Sequence, residues 1–436
     1  MGRKRIVQNL MVYLGRNKIG MLKRRADGSM EFRYEDNWVD TGYAISLSLP
    51  LADRVFLGER ASFFFDNLLP DNKRTLEAIA EKFDASSTKS FDILAVIGRE
   101  CVGALSFFDE DDEPVFLEKM SVRPINEENI ARRLRGLASE NPLGMDEDGD
   151  FRISIAGAQE KMALLYRKNK WWEPRGISPT SHILKKSIGT LLKGTTEAPI
   201  DFEASVDNEW ISLKLAKQFK IEVASAEIKQ FEDQRVLSVE RFDRQWQNDI
   251  LVRIPQEDFC QATGTSPVKK YEKNGGPSLQ AMMNILSSSA NAEEDRKMLF
   301  KTAMFNDLIH NTDSHAKNFS LFHVRKGYLL TPMYDLLSAH FLKENHKVRY
   351  ENLKSSLRIN EKEKYVDITL NDWQQEAQKC GLSEDTFEEI TQELKSSVAA
   401  MEAPQKKSTE DLDLKQQELI LEGVHERSKK LWTKEV

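Results

Sequence analysis

Three residues in the second half of the chain have the side chains that phosphoryl transfer requires. Asp313 is followed five positions later by Asn318, and Asp335 comes after a segment typical of a short β hairpin. One carboxylate could accept the proton of an attacking hydroxyl, while an amide and a second carboxylate could hold the metal ions that bridge ATP phosphates. We therefore interpret Asp313 as a general base and Asn318 and Asp335 as Mg²⁺ ligands.

Two other interpretations of this segment stay open from its residues alone. His310, Asp313 and His315 could form a transition-metal site, although their spacing does not match the i, i+4 histidine pair of a helical zinc motif. The segment could also be a polar turn whose side chains cap backbone groups. The phosphotransferase interpretation therefore depends on finding a phosphate-binding loop and lysine upstream.

Two upstream segments supply candidates for these parts. In residues 151–166, apolar residues alternate around Ala156-Gly157-Ala158, whose small side chains would let backbone N–H groups approach phosphate oxygens. The segment lacks the common glycine-rich fingerprints, and considered alone it is more typical of an ordinary hairpin. Lys185 ends a predicted strand, from which a lysine could reach the α- and β-phosphates. The next predicted helix carries Asp207 and Glu209, and either acid could pair with that lysine.

Composition restricts the class of protein. With 436 residues the chain can form two or more domains, and its net charge of -7 gives it no overall attraction to nucleic acid. The basic N-terminus is not followed by the apolar stretch of a secretory signal, and no apolar run approaches the length of a membrane-spanning helix. The three cysteines are widely spaced, which favours reduced thiols in a cytoplasmic protein over a disulfide framework or zinc site.

Hydrophobic periodicity predicts an α+β protein with a β-rich start and a helical second half. Alternating residues predict strands near 7–14, 30–34 and 44–49, and Ile221–Ile228 and Val236–Asp243 are two more. Helical spacing predicts helices over residues 73–83, 91–98, 126–139, 204–218, 279–287, 295–310, 370–380, 384–401 and 414–432. The order of the predicted strands and helices divides the chain into three parts. These are an N-terminal α+β subdomain (1–108), a predicted nucleotide-binding subdomain (109–246) and a C-terminal lobe with the predicted catalytic loop (247–436).

Longer segments of the chain resemble the HipA family, the kinase toxins of bacterial HipBA toxin–antitoxin modules. The resemblance runs nearly from end to end, which makes it far more specific than one short motif. It is carried by residues 47–51, 64–71, 151–154, 159–161, 205–209, 239–244, 255–258, 313–319 and 334–335.

The resemblance implies a Ser/Thr protein kinase that uses ATP and Mg²⁺. Its fold would be a two-lobed, protein-kinase-like α+β fold with an added N-terminal α+β subdomain and an all-helical C-terminal lobe. Asp313 would be the catalytic base, and Asn318 and Asp335 would bind metal. ATP would contact Ala156, Gly157, Ala158, Gln159, Glu160, Lys161, Lys185, Glu240, Arg241, Phe242, His315, Ala316, Lys317, Asn318, Tyr334 and Asp335.

The family also implies regulation and partners. Ser154 corresponds to a serine whose autophosphorylation displaces the phosphate-binding loop, and a charge of about -1.5 to -2 beside such a loop would repel bound phosphates. The expected partner is a HipB-like helix-turn-helix antitoxin dimer, which would carry this acidic chain to operator DNA as a co-repressor. The expected substrate is a protein of translation, such as glutamyl-tRNA synthetase, whose phosphorylation would arrest growth and favour persistence.

Two alternative functions remain at this stage. The chain could be a pseudokinase that acts only in repression, although Lys185, Asp313, Asn318 and Asp335 are all present. It could instead phosphorylate a small molecule, because aminoglycoside phosphotransferases use a similar Asp and Asn spacing. The N-terminal subdomain and the long matching segments favour the protein kinase over the small-molecule enzyme.

Overall fold

A computed structural model describes residues 7–112, 120–137, 159–191, 200–325, 327–344, 350–404 and 412–433. Its first part is an antiparallel sheet, ordered β4-β3-β2-β1-β5, with helices packed against it. The elements are β1 (Asn9–Leu14), β2 (Asn17–Arg24), β3 (Met30–Tyr34), α1 (Asp36–Thr41), β4 (Val55–Leu57), α2 (Glu59–Asp66), α3 (Lys73–Lys82), α4 (Ser90–Ile97) and β5 (Leu105–Asp109).

The strand predicted near residues 44–49 is wrong, because this segment forms an irregular loop. Its alternating residues make individual contacts instead of a β ladder. The Tyr34 hydroxyl donates to the Leu49 carbonyl at 2.7 Å and accepts from the Ile45 N–H at 3.0 Å. The Ser48 hydroxyl donates to the distant Gln261 carbonyl at 2.6 Å. Tertiary hydrogen bonds therefore replace the pairing that the local pattern predicted.

A second sheet, ordered β12-β13-β9-β7-β8-β6, follows and is covered by helices α5 and α6. The short strands β10 and β11 pair with each other, as do β14 and β15. The elements are β6 (Val122–Pro124), α5 (Glu127–Gly136), β7 (Lys161–Arg167), β8 (Lys170–Pro174), β9 (His182–Lys186), β10 (Gly189–Leu191), β11 (Ile200–Phe202), α6 (Ser205–Gln218), β12 (Ala226–Phe231), β13 (Gln234–Glu240), β14 (Arg244–Gln247) and β15 (Ile250–Arg253).

The last part of the chain is mainly helical, but it also contains strands. The prediction of an all-helical lobe therefore needs correction, because β16, β17 and β18 form a sheet and β19 pairs with β20. The elements are β16 (Gln256–Asp258), α7 (Phe259–Ala262), α8 (Leu279–Leu286), α9 (Ala292–Leu308), β17 (Ser320–Val324), β18 (Gly327–Leu330), β19 (Lys354–Ile359), β20 (Lys362–Lys364), α10 (Leu370–Lys379), α11 (Glu384–Ala399) and α12 (Leu414–Trp432).

Buried apolar side chains form two large clusters. One joins the N-terminal sheet to the second sheet, for example through Phe107, Leu134 and Leu184. The other joins α6 to the C-terminal helices, for example through Trp210 and Phe305. Each cluster contains residues from more than one of the three predicted subdomains, so the hydrophobic core does not mark the boundaries between them. The boundaries at residues 108 and 246 therefore stay predictions. Among the described helices, none has both the length and the apolar character required to cross a bilayer.

Candidate active site

A cavity of about 970 Å³ lies between the second sheet and the segment that follows α9. Most of the predicted site residues line it, namely Gln159, Glu160, Lys161, Lys185, Glu240, Arg241, Phe242, Asp313, His315, Lys317, Asn318, Tyr334 and Asp335. Ala316 is fully buried and is not part of this lining. Ser154 and Ala156–Ala158 lie outside the described residues, so their roles remain predictions.

Lys185 occupies the centre of a buried ion network at the cavity wall. It projects from β9, and its Nζ lies 2.6 Å from Oε1 of Glu209 on α6. It also forms an ion pair with Asp335, which follows Tyr334 and has a positive φ of 54°. Burial disfavours charge on Asp335, yet Lys185 and Lys161 lower the pKa of this carboxyl. Asp335 is therefore ionised at neutral pH, as a metal ligand has to be.

The structure distinguishes the two acids that the sequence left open on α6. Glu209 pairs with Lys185, whereas Asp207 binds Arg235, whose Nη2 lies 2.7 Å from Asp207 Oδ1. The two carboxylates project from α6 toward different strands of the second sheet. Glu209 is therefore the acid that orients the site lysine.

Lys161 supplies a second buried ammonium beside the first. It starts β7 directly opposite Lys185 in the antiparallel pair β7–β9. Burial lowers the pKa of Lys161 to about 8, Asp335 opposes this effect, and Lys185 adds to it. Two like charges in facing positions destabilise a sheet. This placement is accounted for if an anion, such as a polyphosphate, binds between them.

Hydrogen bonds fix the backbone around Asp313. The Asn311 side-chain oxygen accepts from the Asp313 N–H at 3.1 Å, and the Asn318 amide donates to the Asp313 carbonyl at 2.8 Å. The Ser356 hydroxyl donates to the Thr312 carbonyl at 2.7 Å. This last contact ties the segment to β19. Because Asn318 donates through Nδ2, its Oδ1 atom is the one available to a cation.

The Asp313 side chain is 47% exposed, so an acceptor hydroxyl can reach it from the cavity mouth. The Tyr271 hydroxyl donates to its carboxylate, and His315 Nε2 lies 3.6 Å away. The Tyr271 ring also meets the His315 ring edge-on, with centroids 4.9 Å apart. Tyr271 therefore orients both Asp313 and its neighbour.

The lining residues fit a magnesium–nucleotide better than a transition metal. His315 Nδ1 is buried and has no hydrogen-bond partner among the described residues, which leaves a polar atom for a ligand. Asn318 and Asp335 offer the oxygen atoms that Mg²⁺ prefers, with phosphates completing its shell. In the described part of the chain, no three His, Cys, Asp or Glu side chains converge on one point. His310 instead stacks on Tyr365, with centroids 4.3 Å apart, so the His310, Asp313 and His315 alternative has no support.

The segment at the end of β13, which holds the predicted ATP contacts Glu240, Arg241 and Phe242, passes along the cavity. The Phe242 ring packs at 5.5 Å from Tyr334 and could flank a base. The Arg241 guanidinium is bound elsewhere: it donates to Thr180 at 2.8 Å and pairs with Asp243 at 2.9 Å and Glu100 at 3.2 Å. Arg241 therefore connects this segment to the N-terminal part of the chain. A nucleotide in the cavity would therefore contact the backbone of Arg241 and not its guanidinium group.

Three residues at the predicted site, Asp71, Lys270 and Tyr271, were not predicted from the sequence. Asp71 binds Lys317 and Lys270, and Tyr271 binds Asp313. Asp71 ends one of the segments that resemble the HipA family, which was a usable signal. Lys270 and Tyr271 are adjacent polar residues in a loop, and nothing in their local pattern indicates where they point.

Comparisons with known proteins agree with this architecture. Residues 10–108 match the HipA N-terminal domain, and residues 153–401 match the HipA-like C-terminal domain. The putative kinase Y4mE of Sinorhizobium fredii is 32% identical over 385 residues, covering 86% of each chain. The serine/threonine-protein kinase toxin HipA of Shewanella oneidensis is 30% identical over 353 residues, covering 76% of this chain and 75% of the relative.

A solved structure extends the similarity to three dimensions. The Shewanella oneidensis HipA chain, solved with HipB and its operator DNA, superposes with a TM-score of 0.74 at 25% identity. The match covers 96% of this chain and 97% of that one. The predicted two-lobed, kinase-like α+β fold is thereby confirmed. On the extent of both domain matches and of the sequence identity, this chain belongs to the HipA family.

Proposed function

We propose that this protein is an ATP-dependent Ser/Thr protein kinase and the toxin of a toxin–antitoxin pair. The observation that carries the proposal is that Lys185, which pairs with Glu209 and Asp335, lines one cavity together with Asp335, Asp313 and Asn318. A structural polar turn does not require two facing buried lysines or a half-exposed carboxylate. The HipA kinase relatives support the same conclusion.

In the proposed reaction, Asp313 orients the acceptor hydroxyl and takes its proton as the new oxygen–phosphorus bond forms. The bond between the β-phosphate bridging oxygen and the γ-phosphorus breaks, and ADP leaves. Lys161 and Lys185 hold the phosphate oxygens by charge. Asn318 and Asp335 would hold Mg²⁺, which neutralises the charge of the phosphates when it is bound. Glu209 holds Lys185 in place and would leave Asp335 free to serve as a metal ligand.

Transfer of labelled γ-phosphate from ATP to protein serine tests this proposal. We expect Asp313→Ala to lower the rate at least about 100-fold, because a general base contributes roughly 10²–10⁴-fold. Asp367→Ala is the matched control, since Asp367 is exposed in the same half of the chain. Equal rates for wild type and Asp313→Ala would contradict the kinase proposal. They would favour a pseudokinase that acts only in repression.

We propose that Ser154 is the main autophosphorylation site. The support is its place in the segment that resembles the HipA phosphate-binding region. Incubation with Mg-ATP followed by mass spectrometry is expected to find phosphate at Ser154 in wild type and not in Asp313→Gln protein. Phosphate at another main position, or equal labelling of the two proteins, would contradict this assignment.

The proposed partners are a HipB-like antitoxin dimer and, through it, operator DNA. The solved relative was captured with HipB and its operator, which supports this expectation. Because this chain carries a net charge of -7, the partner has to supply most of the phosphate-binding charge. A gel-shift assay is therefore expected to detect this chain on DNA only when the antitoxin is present.

The proposed target is a cytoplasmic protein of translation such as glutamyl-tRNA synthetase. Phosphoproteomics after induced expression of wild type and Asp313→Ala identifies it. A kinase of small molecules would instead phosphorylate an antibiotic and leave protein serines unmodified.

A further inference from the structure

Asp71 reaches the active-site cavity from the N-terminal part of the chain. It lies in the loop between α2 and α3, 246 residues before Lys317. One carboxylate oxygen is 2.6 Å from Lys317 Nζ, and the other is 2.9 Å from Lys270 Nζ. The side chains of Asp71, Lys317 and Lys270 are 17%, 5% and 19% exposed, so water screens these pairs weakly.

The loop that carries Asp71 is held firmly against the C-terminal lobe. The Asn67 amide donates to the Thr265 carbonyl at 2.9 Å, and the Gln261 amide donates to the Phe64 carbonyl at 3.1 Å. Both contacts cross between the N-terminal part and the region of α7. Asp71 therefore lies in a fixed position beside the predicted catalytic segment (residues 310–318). Its side chain loses little further conformational entropy when it forms its ion pairs.

Asp71 is charged and acts on both sides of Asp313. Burial disfavours its ionised form, but Lys317 and Lys270 outweigh burial and lower the pKa of this carboxyl. Lys317 lies between Asp313 and the predicted metal ligand Asn318. Lys270 directly precedes Tyr271, whose hydroxyl binds Asp313. The Asp71 carboxylate thus restrains Lys317, which follows Asp313 in the chain, and also the loop that carries Lys270 and Tyr271.

We propose that Asp71 is a positioning residue of the active site, contributed by the HipA N-terminal domain, which fixes Lys317 and the Tyr271 loop around Asp313. The inference rests on the proposed kinase function. It means that the N-terminal domain takes part in catalysis and is more than an appended module. Its effect is mainly on the arrangement of the site around Asp313, because Lys317, a predicted ATP contact, keeps its charge when Asp71 is changed.

The variant Asp71→Asn keeps the shape of the side chain and removes its charge. We expect kcat for phosphate transfer to fall about 10- to 100-fold, because a displacement of about 1 Å can have an effect of that size. Mg-ATP affinity, measured by calorimetry, should stay within about twofold or rise, since a negative charge near the phosphates is lost. Asp53→Asn is the matched control, because it breaks an exposed ion pair with Arg60 in the same domain.

An unchanged kcat in Asp71→Asn would overturn the proposal. A loss of kcat together with about tenfold weaker Mg-ATP binding, or with a large drop in melting temperature, would assign Asp71 a structural role and also overturn it. If wild type itself transfers no phosphate, the proposed kinase function fails and this inference falls with it. An active wild type beside an equally active Asp71→Asn overturns this inference alone.

Lys317→Gln removes the same ion pair by a change in the C-terminal lobe. It leaves Asp71 and the contacts of Asn67 with Thr265 and of Gln261 with Phe64 unchanged. We expect a kcat loss in Lys317→Gln. Adding Asp71→Asn should cause a further loss smaller than Asp71→Asn causes alone, because the pair with Lys317 is already gone and only the contact with Lys270 remains to be lost. Full kcat in Lys317→Gln would overturn the proposal even if Asp71→Asn did not fold. So would multiplication of the two single losses in the double variant.

Discussion

Arg427 anchors the C-terminal helix α12 to α9, the helix that directly precedes the predicted catalytic segment (residues 310–318). Its guanidinium meets Asp307 of α9 with atoms 2.6 and 2.8 Å apart, and both side chains are at most 4% exposed. Trp373 also donates to Asp307 at 2.8 Å. Asp307 lies three residues before His310, so this network supports the start of the catalytic segment.

We predict that Arg427→Met lowers the free energy of unfolding by about 3–5 kcal/mol. The methionine fills much of the arginine volume, so the loss comes mainly from a buried carboxylate left with only one donor. Adding Asp307→Asn should recover part of the loss, because the asparagine is neutral and can still accept from Trp373. Urea denaturation followed by circular dichroism measures all three proteins.

Lys343→Met is the matched control, because it breaks the ion pair between Lys343 and Glu426 of the same helix. Those side chains are 42% and 49% exposed, and the expected loss is below about 1 kcal/mol. If Arg427→Met were no less stable than Lys343→Met, the buried pair would not anchor α12. A double variant less stable than Arg427→Met alone would contradict the charge argument.

Three further predictions concern the site and the pH dependence of stability. Glu209→Gln should lower kcat about 10- to 100-fold, because Lys185 would then be held by Asp335 alone and would compete with the metal. Tyr271→Phe should lower kcat about tenfold or more, since a hydrogen bond to a charged group contributes roughly 1.5–3 kcal/mol. Burial lowers the pKa of His310 well below 6.5 and that of His340 to about 4. The contribution of these two imidazoles to stability should therefore be full above pH 6.5 and fall below it, by about 2–3 kcal/mol at pH 5.5. Urea denaturation of wild type and of the His310→Gln, His340→Gln double variant isolates this contribution from that of other titrating groups.

Each of these predictions has a control. Asp207→Asn alters the neighbouring buried acid of α6, which pairs with Arg235, and should leave kcat near wild type. Tyr365→Phe removes another buried hydroxyl, bound to the Asn311 carbonyl, and tests whether any lost hydroxyl lowers kcat as much as Tyr271→Phe does. An identical change in stability from pH 7 to 5.5 in wild type and in the His310→Gln, His340→Gln double variant would contradict the histidine argument.

Helices and most strands could be predicted because their signals are local. The structure has α9 at Ala292–Leu308 and α10 at Leu370–Lys379, close to the predicted 295–310 and 370–380. The error at 44–49 arose where period-two spacing coincided with hydrogen bonds from distant residues. In the C-terminal lobe the hairpin between Asn318 and Asp335 was predicted and is present as β17 and β18. The strands β16 and β20 were missed because they have only three residues each, too few to display a period.

The sequence by itself was enough to select the candidate side chains of the site and to identify the protein family. Asp313, Asn318, Asp335 and Lys185 could be selected because phosphoryl transfer needs particular side chains, and their spacing is a property of the chain. The same holds for the long segments that resemble HipA proteins. These conclusions depend on residue type and order, which the sequence states directly.

Only the tertiary structure decided which residues meet. It selected Glu209 over Asp207, placed Lys161 opposite Lys185, and brought Asp71 and Tyr271 to the two sides of the catalytic segment. Such contacts join elements separated by tens to hundreds of residues, and they follow from sheet register and domain packing. No local pattern encodes that information, because the free energy that fixes it comes from burial of the whole core.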